Sequence, residues 1–142
     1  MSIKIRPEVK QIADTIITIR RDIHQHPELS FKEFRTAKCV EEKLLKLGLS
    51  VKIGVGKTGV VGDLIGELDG PTIALRADMD ALPIQETGDV PYKSVNKGVM
   101  HACGHDGHVA MLLGAAEVLS KQKHKLKGRV RFIFQPAEEG EG

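Results

Sequence analysis

Thr72-Ile73-Ala74-Leu75-Arg76-Ala77-Asp78-Met79-Asp80 passes from a β-rich apolar run straight into two carboxylates. Its first four residues are apolar on both faces, as expected of an interior strand covered by helices. Asp78 and Asp80 then fall at that strand's carboxyl end, the usual place for chemistry in an open α/β sheet. Upstream, Leu49 to Ile53 and Val60 to Leu68 are β-branched runs punctuated by glycine, and Asp69-Gly70-Pro71 reads as the turn before the next strand. Downstream, Val130 to Phe134 is a fourth strand that delivers Gln135-Pro136-Ala137-Glu138-Glu139 at its carboxyl end. Residues 78–100 lack periodicity and read as a long irregular loop, a kind of segment that carries function more often than structure.

Helices flank these strands. After Pro7, a favourable first helical position, Val9, Ile12, Ile16, Ile19 and Ile23 recur at spacings of three and four and predict one helix ending near His26, before Pro27. Ser30 and Glu33 have the spacing of a capping box, and Leu29 and Phe34 that of a hydrophobic staple. Phe34, Ala37, Val40, Leu44 and Leu47 continue a second helix that Gly48 stops. A third opens at Asp106 or Gly107 and carries Val109, Leu112, Leu113, Ala116 and Leu119 on one face. Alternating helix, strand and loop predicts an α/β fold.

A formal charge of +2, from 21 basic and 19 acidic residues, leaves no global field to select nucleic acid or anionic lipid. Lys121, Lys123, Lys125, Lys127, Arg129 and Arg131 alternate, but without interleaved aromatics they read as a solvated connection rather than a phosphate-binding stripe. The start of the chain lacks the apolar core of a signal peptide, and no apolar run approaches the roughly 18 residues of a membrane span. Cys39 and Cys103 lie in unlike contexts, so a disulfide is not expected. A soluble, cytoplasmic protein in a reducing compartment fits better.

The densest chemistry lies in Met100-His101-Ala102-Cys103-Gly104-His105-Asp106-Gly107-His108. Thiolate and imidazole one residue apart share a side in an extended segment and can reach one ion. Glu138 and Glu139 repel each other unless something positive lies between them, and a cation removes that cost. Soft and hard donors together suit zinc or a nearby first-row metal, with one glutamate as ligand and the other as general base. His101 and His108 are weaker candidates. Asp80 can orient a ligand histidine from behind, or simply cap its loop. His24 and His26 read as a helix end capping carbonyls, and Cys39 as a small packed residue. Two other readings stay open: a noncatalytic metal-binding or assembly module that pairs its sheet edge with another chain, and a cysteine hydrolase using Cys103 with His105.

Four motifs occur in order: Arg21-Asp22-Ile23-His24-Gln25-His26-Pro27-Glu28-Leu29-Ser30, Leu75 to Pro83, Met100 to His108, and Phe134-Gln135-Pro136-Ala137-Glu138-Glu139-Gly140. With them the chain resembles the amidohydrolase metallopeptidases that include hippurate hydrolase, auxin-amino-acid conjugate hydrolase, N-acetyl-diaminopimelate deacetylase and thermostable archaeal carboxypeptidases. The resemblance implies a three-layer α/β/α zinc-exopeptidase-like catalytic domain. It further implies Cys103, His105 and Glu139 as metal ligands, Glu138 as general base and Asp80 as the acidic residue supporting the site, with no ligand role for His101 or His108.

Family members are more than twice this long. The resemblance therefore makes residues 1–142 the N-terminal part of the catalytic domain, with an inserted dimerisation or lid domain and further histidine ligands beyond it. The implied activity of the intact protein is metal-dependent hydrolysis of an amide in an N-acyl amino acid or small peptide, with two divalent ions (zinc, manganese or cobalt) and a possible homo-oligomer. The 142 residues alone are expected to turn over little or no substrate.

Overall fold

The computed structural model describes residues 4–140, in the order α1 (Pro7–Gln11), α2 (Ala13–Gln25), α3 (Phe34–Lys46), β1 (Ser50–Val55), β2 (Gly59–Ile65), β3 (Leu68–Asp78), α4 (His105–Ser120) and β4 (Lys127–Gln135). The expected first helix is divided in two. Ile12, at φ −106° and ψ 2°, leaves helical geometry between α1 and α2, and its side chain is buried.

The strands form one mixed sheet in the order β1-β2-β4-β3, antiparallel except for the parallel β3–β4 pair. Val130, Phe132 and Phe134 of β4 and Val60 and Leu64 of β2 face one side, alternating with polar or half-buried residues as the pleat requires. On that side Ile19 and Ile23 of α2, Val40 and Leu44 of α3, and Val109, Leu112, Leu113 and Ala116 of α4 close the core. Among the described residues the architecture therefore has two layers. The opposite sheet face carries Arg129 and Arg131, both paired with Asp63, and no helix of the described residues covers it. The third layer implied by the resemblance is not among them.

Three local expectations are overturned. Thr72 to Leu75 is not an interior strand: β3 is the sheet's edge, with Ile73 57% exposed. Asp69-Gly70-Pro71 does not separate two strands but lies within β3, where the register against β4 shifts between Leu68 and Thr72. The Ser30–Glu33 capping box and the Leu29–Phe34 staple do not form. Phe34 is 68% exposed, and the Glu28 carboxylate takes the helix-start donors instead, accepting from Arg35 N–H at 2.9 Å and Thr36 N–H at 2.8 Å. An anion is well placed there, where backbone donors have no partners within the helix. Ser30 and Glu33 are thereby free for long-range partners.

Candidate metal centre

Three segments meet at the carboxyl ends of β3 and β4. After Asp78 the chain stays buried through Met79, Asp80 and Ala81. It is tied to β4 by Met79 N–H donating to Gln135 O at 2.9 Å, and to the α2–α3 connection by Ala81 N–H donating to Glu28 O at 2.8 Å. The loop beyond is closed by the Leu82–Met100 pair, whose N–H groups each donate to the other's carbonyl at 3.0 Å. It then reaches Cys103, Gly104 and the first residue of α4, His105. The two donors do not converge through an extended segment. Gly104 adopts a left-handed φ of 89°, a bend that favours glycine, and turns the exposed Cys103 toward the buried His105.

The third segment follows β4. Ala137 is buried in the left-handed region at φ 53° and turns Glu138 and Glu139 back over α4. Glu138 Oε2 lies 3.7 Å and Glu139 Oε1 3.8 Å from His105 Nε2. Ligand atoms of Cys103, His105 and Glu139 lie within 4.8 Å of one another. The residues picked out as metal ligands in the sequence are thus brought together, with Glu138 beside them.

Asp80 supports this arrangement from beneath, only 1% exposed. Its carbonyl oxygen lies 2.9 Å from His105 Nδ1. A carbonyl can only accept, so Nδ1 carries a proton, which leaves Nε2, on the side of the glutamates, as the nitrogen available to a metal ion. Asp80 Oδ2 accepts from Ser30 Oγ at 2.8 Å and from Glu139 N–H at 2.9 Å. Its Oδ1 is buried, 3.3 Å from His105 Nδ1, and makes no hydrogen bond among the described residues. Gly140 completes the turn: a Cβ there would come within 2.7 Å of Ser30 Oγ.

The electrostatics fit a cation. The Cys103 thiol is held above its ordinary value, first by its hydrogen bond to the Glu139 carboxylate and then by some burial and the charges of Glu139, Glu138 and Asp78. A thiol among carboxylates is a poor free nucleophile, which counts against the cysteine-hydrolase reading. A divalent ion reverses the balance, because it favours thiolate and carboxylates together. The donor set of one sulfur, one imidazole nitrogen and one carboxylate is one that zinc and cobalt accept.

Asp78, His105 and His108 form a second group with ligand atoms within 4.8 Å of one another. It shares His105, whose single available nitrogen cannot serve two ions, so the two groupings are alternatives. His108 is half exposed, stacks on His105 at 5.4 Å between centroids, and approaches Asp78 only to 3.7 Å. Asp78 is occupied by Arg76 at 3.3 Å.

Sequence reasoning missed a buried polar network behind α4. His24 is not a helix-end cap. Its Nδ1 lies 2.8 Å from Asp106 Oδ2 and its Nε2 3.2 Å from Glu86 Oε1, while Arg20 reaches Asp106 Oδ2 at 2.7 Å and Ser94 N–H donates to Glu86 Oε2 at 2.7 Å. The network pins the long loop against α2 and α4. No local spacing announces it, since its members span residues 20–106. His26 does cap, with Nδ1 2.8 Å from Asp22 O. His101 is 3% exposed, and neither ring nitrogen has a hydrogen-bond partner among the described residues. Burial pushes its pKa down to about 4.

The profile of peptidase family M20/M25/M40 matches residues 74–142. Thermostable carboxypeptidase 2 of Saccharolobus solfataricus is 60% identical over 140 residues, covering 98% of this chain and 36% of that protein. N-acetyl-L-cysteine deacetylase of Bacillus subtilis is 53% identical over 124 residues, covering 87% and 30%. Among solved structures, the Bacillus subtilis YXEP protein, described as a dinuclear metal binding peptidase from the M20 family, superposes with a TM-score of 0.87 at 49% identity, over 92% of this chain and 36% of that one. The chain spans about a third of the length of the relatives it matches. On its motifs, its fold and these similarities, the chain is similar to members of the M20/M25/M40 peptidase family over about a third of their length.

Proposed function

We propose that residues 1–142 are the N-terminal part of the catalytic domain of a divalent-metal amidohydrolase or carboxypeptidase that cleaves the amide of N-acyl amino acids or small peptides. The observation that carries this reading is the convergence of Cys103, His105 and Glu139 within 4.8 Å, with Glu138 Oε2 3.7 Å from His105 Nε2. The names of relatives, a carboxypeptidase and an N-acetyl-L-cysteine deacetylase, support the substrate class.

Cys103, His105 and Glu139 would hold the ion. When bound, it supplies Lewis acidity toward the scissile carbonyl and acidifies a water molecule. Glu138, with a 38% exposed side chain, is free to take a proton from water at a carboxylate oxygen and return it to the leaving amine. Asp80 keeps the His105 ring in the tautomer that leaves Nε2 unprotonated and ties down the Glu139 backbone. The thiolate favours zinc or cobalt over magnesium or calcium. A second ion, the lid or dimerisation domain and any homo-oligomer belong to the longer polypeptide.

No helix of the described residues is long and apolar enough to cross a membrane. Both cysteines are free, which supports a reducing, cytoplasmic location.

The test is hydrolysis of N-acetyl amino acids and short peptides by the longer protein loaded with zinc, manganese or cobalt. Glu138→Gln is expected to lower kcat by about 10²–10⁴ with the metal retained. Residues 1–142 alone are expected to show little or no turnover, and Glu138-dependent turnover by them would contradict this reading.

A further inference from the structure

Glu33 has 0% exposure and no cation pairs with it among the described residues. A buried carboxylate is costly unless its oxygens are fully engaged. Glu33 meets that need with two neutral donors: the Thr58 hydroxyl donates to Oε2, and the Ala137 N–H, 104 residues away in sequence, donates to Oε1 at 2.9 Å. The second donor is informative. Ala137 holds a left-handed φ of 53°, which a residue with a Cβ disfavours, and it is the residue that turns β4 into Glu138-Glu139. On the far side of Glu138, Asp80 Oδ2 accepts the Glu139 N–H at 2.9 Å. Two buried carboxylates from different parts of the chain thus grip the backbone on either side of Glu138.

We propose that Glu33 is a positioning residue for the metal centre: it holds Ala137 in its left-handed turn, so that Glu138 and Glu139 face His105 Nε2. This rests on the metal reading above. Glu33 touches neither ion nor substrate and acts only through the turn. Without its acceptor, the Ala137 N–H is orphaned and the turn is free to relax to negative φ, carrying the Glu139 carboxylate away from Cys103 and His105. Sequence spacing assigned Glu33 to a helix cap, and its true partner was visible only in three dimensions.

The test is cobalt titration of the protein, followed by the thiolate-to-cobalt absorption, for wild type, E33A, E33Q and V40A. Val40 is fully buried in the core and serves as a control for general loosening. E33A is expected to bind cobalt about 10–100-fold more weakly, as losses behind a metal ligand do. E33Q, whose amide oxygen still accepts from Ala137 while its NH₂ donates to the Thr58 hydroxyl, is expected to stay within about threefold of wild type. V40A is expected to melt earlier with unchanged affinity. Wild-type affinity in E33A, or an equal loss in V40A, overturns the proposal. Should E33A not fold, amide exchange in the wild type decides: Ala137 and Glu139 N–H are expected to be protected, and an Ala137 N–H exchanging as fast as an open loop overturns it. A wild type that binds no cobalt removes the metal reading, and the grip on the turn is then judged by exchange alone.

Discussion

The two ends of the β3–β4 pair differ sharply. In the first half of β3, Leu68 and Ile73 are 47% and 57% exposed. At its end, Ala77, Asp78, Met79, Asp80 and Ala81 are all buried, with Ala77 paired to Phe134 and Asp78 to Gln135 and α4 packed against the strand. There the Ser30 hydroxyl donates to Asp80, while the Glu33 carboxylate accepts from Ala137 N–H and the Asp80 carbonyl from His105. One strand pair thus has a closely packed end and an open end, and the packing is concentrated where the candidate ligand side chains are held.

The largest expected effect lies at the packed end. Phe134, 1% exposed, pairs across from Ala77, and Phe134→Ala is expected to lower stability by about 3–5 kcal/mol, measured by urea unfolding. A loss below about 1 kcal/mol would mean that this end is not close-packed.

A pH-dependent effect comes next, also at the packed end. His101 has its folded pKa pushed down to about 4 from 6.5, so the unfolded chain binds the extra proton between those values. Its contribution is complete above pH 6.5 and lost as pH falls toward 4. Between pH 7 and pH 4.5, wild type is expected to lose up to about 3 kcal/mol more than His101→Gln. Parallel pH profiles for the two proteins would show that His101 titrates normally.

The smallest effect belongs to the open end. Ile73→Thr is expected to change stability by no more than about 0.5 kcal/mol, and a larger loss would mean that Ile73 is covered in solution.

The same contrast separates what was legible in the sequence from what was not. The helices and strands follow from local periodicity, and Cys103, His105, Glu138 and Glu139 stand out as donor types beside glycines and at a strand end. Asp80 was readable because it follows the most strand-like run in the chain. Some misreadings are local, as where Gly104 bends a segment read as extended, and the others concern partners distant in sequence. A Ser-x-x-Glu spacing signals a cap only if nothing farther away competes, and Asp80 and Ala137 did. An apolar run reads as an interior strand, yet whether it is interior depends on which strands lie beside it. His24 and Asp106 are 82 residues apart and carry no shared local pattern.

Cobalt bound to the protein, observed by optical and X-ray absorption, tests the central claim most directly. One sulfur in the first coordination shell is expected, with a thiolate band that disappears in Cys103→Ser and binding that weakens by at least about 100-fold in Glu139→Ala. A sulfur-free coordination shell, or spectra unchanged in Cys103→Ser, would contradict a centre built from Cys103, His105 and Glu139.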